Sequence, residues 1–236
     1  MKLIKILLIV IVIFPSVAFA QKSKAWNKPL YDAKKYHYGF AFSAGVLDFS
    51  VMLADDFFEP KFDTIRSVEG LSKSVFGASM VGVLKLSDNL DLRFVPGLFF
   101  GQRNLEYLCK KDNGQIGYHT MKIESTLLQF PLLIKYRAER QNNYRPYVIL
   151  GVNYAIDFAA SKKIKDFERP KIRLNTHDVY AEIGIGLDNY LPFFKLSTEL
   201  KFSYGLLNMV NYDGSVYSKT FKRLGSKMVT LVVYFE

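Results

Sequence analysis

Cysteine is almost missing from this 236-residue chain, where Cys109 stands alone. No intrachain disulfide can form, although an exported setting would permit one. Histidine is nearly as scarce: His37, His119 and His177 are dispersed and give catalysis little support. Beyond the N-terminus no window approaches the ~18 consecutive apolar residues of a transmembrane helix. Yet half of the residues are hydrophobic, with 15 Tyr and 20 Phe. Apolar composition without a helical span leaves a secreted β-sandwich or a membrane β-barrel.

The N-terminus reads as an export signal. Lys2 and Lys5 form a basic start, Leu3 to Phe14 is otherwise apolar, and Ala18-Phe19-Ala20 has the small-x-small pattern of a cleavage site. The apolar core is short of the ~20 residues that a spanning helix needs. The expected division is a signal peptide over 1–20, a mobile periplasmic arm over 21–35 and a barrel over 36–236. The residue directly after the cleavage site is Gln21 and not a cysteine, so a lipid anchor is not indicated. The formal net charge of +10 would suit nucleic acid, but an exported chain does not meet it. Outer-membrane lipid or lipopolysaccharide phosphates fit basic loops better.

Thr126 to Phe158 sets the pattern for the rest. Leu128, Phe130, Leu132, Ile134 and Tyr136 share one face, and Val148, Leu150, Val152, Tyr154 and Ile156 share one face of the run that follows. This is the period of strands, and the polar stretch Arg137 to Tyr144 joins them as a hairpin. Similar runs occur at about 37–47, 73–86, 90–103, 177–188, 194–204 and 226–236. The connections alternate long and short, the long ones at about 49–72, 104–122, 159–176 and 208–225.

Eight strands of this length, with short turns at one end and long loops at the other, predict an all-β, antiparallel up-and-down transmembrane barrel. The second face carries Gly97, Gly151, Gly184, Gly186, Ser197 and Ser203 among charges. Small and charged residues suit a narrow eight-strand lumen and suit a sandwich core badly.

The charged residues expected to face the lumen are Lys85, Asp91, Arg93, Lys135, Asp157, Glu182, Asp188, Lys195, Glu199 and Lys201. Buried charges need partners, so a structural network is expected rather than an acid–base site. The turn Ser87-Asp88-Asn89 sets Lys85 opposite Asp91. For the sixth and seventh strands, one register would oppose Glu182 and Glu199. The favoured one opposes Asp188 with Lys195 and Glu182 with Lys201. An acyltransferase-like set of His177, Asp178 and Ser125 or Ser161 is a remote alternative, because nucleophile and base must lie within hydrogen-bond reach. Asp55, Asp56, Glu59 and Asp63 lack calcium-loop spacing. Gly184 and Gly186 precede no helix and make no phosphate cradle. No cofactor is expected.

The run Leu128-Gln129-Phe130-Pro131-Leu132-Leu133-Ile134-Lys135-Tyr136-Arg137, then Arg145-Pro146-Tyr147, Gly151-Val152 and Asp157, resembles the PorT-like outer-membrane β-barrel family. That resemblance implies an integral outer-membrane barrel without enzymatic activity. It also implies a role in assembly or operation of the type IX secretion system, which supports gliding motility in some bacteria, with secretion-system proteins as partners. It supplies no catalytic residues. The alternatives are a small OmpA/OmpX-like barrel for adhesion or envelope stability, and a lipid-modifying enzyme. Pro131 lacks a ladder donor, so a local bulge or a missing hydrogen bond is expected there.

Overall fold

The computed structural model describes residues 26–55, 57, 65–110, 116–160, 172–211 and 219–236. The expected signal peptide, 1–20, lies outside them. The strands are β1 (Tyr36–Leu53), β2 (Ile65–Leu71), β3 (Lys73–Lys85), β4 (Leu90–Phe94), β5 (Gly97–Lys110), β6 (Ile116–Arg137), β7 (Tyr144–Asp157), β8 (Arg173–Leu174), β9 (His177–Tyr190), β10 (Lys195–Gly205), β11 (Val210–Asn211) and β12 (Phe221–Phe235).

Ten of these form one antiparallel sheet closed on itself. Its order runs β1, β12, β10, β9, β7, β6; β6 then pairs with β4 and β5, these pair with β3, and β3 returns to β1. Two staves are interrupted. Ser72 separates β2 from β3, and Val95-Pro96 separates β4 from β5. Counted as staves, the ring is the expected eight-strand up-and-down barrel. Closure leaves no open edge where the strands cross the membrane, as hydrocarbon requires.

Alternation along each stave sorts the side chains. Phe40, Phe42, Leu132, Ile134, Val148, Leu150, Ile183, Ile185, Leu200 and Leu231 are exposed on the outer wall. Ala41, Ser43, Leu133, Lys135, Ile149, Glu182, Glu199 and Val232 are buried inside. Tyr36, Tyr38, Tyr136 and Tyr144 stand out at the short-turn end, where an aromatic girdle belongs. At the other end the apolar band stops at a row running across paired strands. Tyr204 pairs with Lys227 and Lys227 with Asp48, and Lys227 Nζ lies 3.1 Å from the Asp48 carboxylate.

Four expectations need correction. First, the loop expected at 104–122 is largely strand, and half of the one expected at 49–72 is strand too. β1 runs on to Leu53 and β2 occupies 65–71, while β5 and β6 stay paired up to Lys110↔Ile116. Alternation continues there through Leu105, Tyr107, Met121 and Ile123, which the intervening charges obscure. Second, the β9–β10 register is neither of the two considered. Asp188 opposes Ser197, Glu182 opposes Ser203, and Lys195 opposes Tyr190. The turn holds four residues, closed by Leu191 N–H on the Phe194 carbonyl at 3.0 Å. That moves the register two places and keeps every side chain on its face.

Third, of the two outcomes expected at Pro131 the missing hydrogen bond occurs and the bulge does not: the pairing with β4 and β5 skips Pro131, and β6 keeps unbroken register with β7 through it. The partner stave breaks instead. Val95 and Pro96 lie beside Pro131, and Val95 N–H donates to the Pro131 carbonyl at 3.1 Å. The missing donor thus falls where the ladder is already interrupted. Fourth, residues 26–35 of the supposed mobile arm are docked across the short-turn end.

Candidate functional site

The lumen is the first place to look for chemistry, and it is filled. β1, β3 and β12 contribute Ala41, Val81, Val83, Val232 and Tyr234 to an apolar cluster, with Leu47, Val75 and Met228 in a second one. β9 and β10 contribute carboxylates and lysines. The missing side chain of Gly186 makes room for Tyr147, since a Cβ there would lie 2.3 Å from the Tyr147 Cζ.

Most of the buried charges find a partner across the lumen. Arg93 lies 3.0 Å from Glu199 and 3.6 Å from Glu236, and its guanidinium is 4.5 Å from the Tyr234 ring centre. The Tyr234 hydroxyl donates to Glu199 at 2.8 Å. Lys135 donates to both Asp188 oxygens at 2.8 Å, and its Nζ sits 3.6 Å from the Tyr147 ring centre. Lys195 pairs with Glu236 at 2.8 Å, and Lys201 with Glu182 at 3.1 Å. Asn153 and Ser203 donate to the other Glu182 oxygen, both at 2.9 Å. Buried carboxylates so held are fixed by attraction and hydrogen bonding.

The structure therefore brings Arg93 and Glu199, Lys135 and Asp188, and Glu182 and Lys201 together. Asp188 is not tied to Lys195, whose partner is Glu236. Lys85 opposes Asp91 in register, but its side chain turns to Asp88 at 2.8 Å, and Asp91 pairs with Arg137 at 2.9 Å. Arg103, Arg137, Arg145 and Glu236 were not among the expected charges. Parity could have found them, because each stands two positions along its strand from an inward-facing residue: Gly101, Lys135, Tyr147 and Tyr234.

The short-turn end is closed by the arm. A single turn at Tyr31–Ala33 carries Asp32 onto the mouth. Its carboxylate accepts from the Tyr190 hydroxyl at 2.8 Å, and lies 3.3 Å from Arg137, 3.3 Å from Arg145 and 3.4 Å from Arg140. Burial raises the pKa of this carboxyl, but the Tyr190 bond and the three arginines outweigh burial and hold it below the ordinary value. Tyr31 stacks on His37 at 4.2 Å and donates to Glu236 at 3.2 Å. Burial and the Glu236 charge push its hydroxyl far above the usual tyrosine range. Asn27 ties the arm to Asn143 and to the Tyr190 carbonyl, each at 2.9 Å. The Arg140 guanidinium lies 5.0 Å from the Trp26 ring centre.

The long-loop end is closed by an apolar core. Phe49, Leu105, Tyr107, Met121, Phe221 and Leu224 are buried together, and Ile172, Leu174, Met209 and Val210 lie against them. The small β8–β11 sheet, pairing Val210 with Leu174, brings the last four there. Beneath it Arg103 pairs with Asp157 at 2.9 Å and donates to Ser125 at 3.1 Å and to Ser226.

The other candidates do not assemble. His177 is exposed on the outer wall, where its Nδ1 lies 2.7 Å from the Tyr154 hydroxyl. Asp178 is buried inside and Ser125 is held by Arg103; Ser161 lies outside the described residues. Adjacent strand residues face opposite ways, so His177 and Asp178 cannot form a catalytic pair. Asp55 pairs with Lys222 at 2.8 Å. Asp56, Glu59 and Asp63 lie outside the described residues, as does most of the long loop expected at 159–176. No cluster suited to a metal occurs among the described residues.

A closed eight-stave sheet with an apolar exterior, aromatic residues at its rim and a filled polar interior defines a transmembrane β-barrel. The chain belongs to the outer membrane protein beta-barrel domain family, whose model matches residues 19–211. It is similar in structure to Neisserial surface protein A, at 14% identity and a TM-score of 0.42, covering 86% of this chain and 97% of that one. It is also similar to the outer membrane protein OprG from Pseudomonas aeruginosa, at 14% identity and a TM-score of 0.44, covering 84% and 92%. No curated protein matches the chain.

Proposed function

We propose that this outer-membrane barrel is a non-enzymatic accessory of a protein secretion apparatus, the type IX system of gliding Gram-negative bacteria. In this reading it is exported by its first 20 residues and stands with its short turns in the periplasm. The observation that carries the reading is the filled lumen, closed at one end by the arm and at the other by an apolar core. A barrel that offers no conduit acts through its surfaces, so its partners are secretion-system proteins and the surrounding lipid or lipopolysaccharide. The PorT-like residues Pro131, Lys135, Arg145, Pro146, Tyr147 and Gly151 support the choice of system, and they lie together on the β6–β7 hairpin. Deletion of the gene tests it: exported enzymes should disappear from the culture medium while the other outer-membrane barrels stay at normal levels.

A second reading, an adhesion or envelope-stability barrel, is favoured by β5 and β6, which stay paired past the apolar band up to Lys110↔Ile116. Loss of surface attachment with secretion intact would select it.

A further inference from the structure

We infer that the edge of β6 above the apolar band is a docking site for an extended segment of another protein. Inside the band every stave is paired on both sides. Above it β6 has β5 on one side only. Register with β5 runs without a shift from Gly97↔Gln129 to Lys110↔Ile116, whereas register with β7 stops at Leu127↔Asp157.

Thr126 shows which backbone groups face the open side. Its carbonyl accepts from Phe158 N–H at 2.9 Å, and its N–H donates to the Asp157 carboxylate at 3.2 Å, both away from β5. Backbone groups alternate direction along a strand. Ile116, Tyr118, Thr120, Lys122 and Glu124 therefore point their N–H and C=O groups the same way as Thr126. Among the described residues these groups have no protein partner.

An unpaired edge of this length is a template for a further strand. The usual protections are thin here: Ile116 to Ser125 contains no proline and no register shift, and its only charges are Lys122 and Glu124. Copies of the chain in one membrane raise β6 in the same direction. Their edges would meet only in parallel, the weaker pairing, whereas a free segment can run antiparallel. The chemistry of that segment follows from cross-strand neighbours. It carries an acidic residue opposite Lys122 and a basic one opposite Glu124. Apolar residues lie between them, on the face of Met121 and Ile123, which pack with the apolar core. The inference rests on placing the long loops outside the cell and not on a role in secretion.

The test uses the full-length protein in detergent micelles and a fluorescein-labelled peptide, VKVEVTVT, that meets these requirements in antiparallel register. The amides of Ile116, Tyr118, Thr120, Lys122 and Glu124 should exchange with solvent rapidly in the free protein. They should slow when the peptide binds, as read by residue-resolved hydrogen exchange alongside fluorescence anisotropy. Thr120→Pro removes an edge donor without touching the β5 ladder and should weaken binding by roughly tenfold or more. The double variant Lys122→Glu/Glu124→Lys should lose up to about tenfold for VKVEVTVT and regain it for the charge-swapped peptide VEVKVTVT. The charge reversal carries the test if the proline variant does not fold. Slow exchange of these amides in the free protein, no binding of either peptide, or equal binding of both by the reversed variant would overturn the proposal.

Discussion

Arg93 is fully buried between Glu199, Glu236, Tyr147 and Tyr234. Arg93→Met removes the cation and leaves two buried carboxylates facing each other's charge. Breaking such a pair costs about 3–5 kcal/mol, so the urea midpoint of the folded form should fall well below that of the parent. Adding Glu199→Leu should restore most of the loss, because desolvation of the second charge disappears with it. Equal midpoints for Arg93→Met and the parent would show that the ion pairs in the lumen do not stabilise the barrel. At the mouth, Asp32 has a depressed carboxyl pKa. A carboxylate of that kind contributes stability that is fully present above its unfolded value of ~3.9 and is lost as pH falls through the lower folded value. Trp26, the only tryptophan, reports on the arm through its contact with Arg140. Tryptophan anisotropy should hold from neutral pH down to ordinary carboxylate pKa values and drop below them. Asp32→Asn should lower it at neutral pH. Unchanged anisotropy in that variant would mean that the carboxylate does not hold the arm.

At the scale of elements, close strand approach is as constraining as side-chain pairing. A Cβ on Gly45 would lie 2.0 Å from the Val229 carbonyl oxygen, at the seam where β1 meets β12 to close the ring. Gly45→Val should cost roughly 1–3 kcal/mol or more by overpacking. It should reduce the fraction of protein that migrates as the compact, heat-modifiable band on unboiled gels; a normal fraction would show that the seam yields. Strand alternation was legible because one face must meet lipid and the other the lumen, so the β6–β7 hairpin and the inward assignment of Arg93, Lys135, Glu182 and Glu199 follow from parity alone. Register was less legible. Shifting β9 against β10 by two residues moves no side chain to the wrong face, so the Leu191–Phe194 turn decided it. Glu182 still reaches Lys201, along a diagonal. The arm was illegible because residues 26–35 have no period; what orders them is Asp32 meeting three arginines from one hairpin, Arg137, Arg140 and Arg145. The upper halves of β5 and β6 were hidden by their outward charges, Glu106, Lys122 and Glu124.

At the scale of the whole molecule, both ends of the barrel are closed. The arm knot, the ion-pair layers and the apolar cap follow one another along the barrel axis, so reconstitution into planar bilayers should give no steady current. Discrete conductance steps would contradict a filled lumen. If no solute passes, the surfaces carry the role: the docked arm at one end, the lipid-facing wall, and the β5–β6 projection at the other. The most direct measurement is affinity isolation of the full-length protein from gently solubilised outer membranes, with bound proteins identified by mass spectrometry. A barrel that serves a secretion apparatus should come down with other components of that apparatus. Recovery of the barrel alone, as a heat-modifiable monomer, would contradict that role.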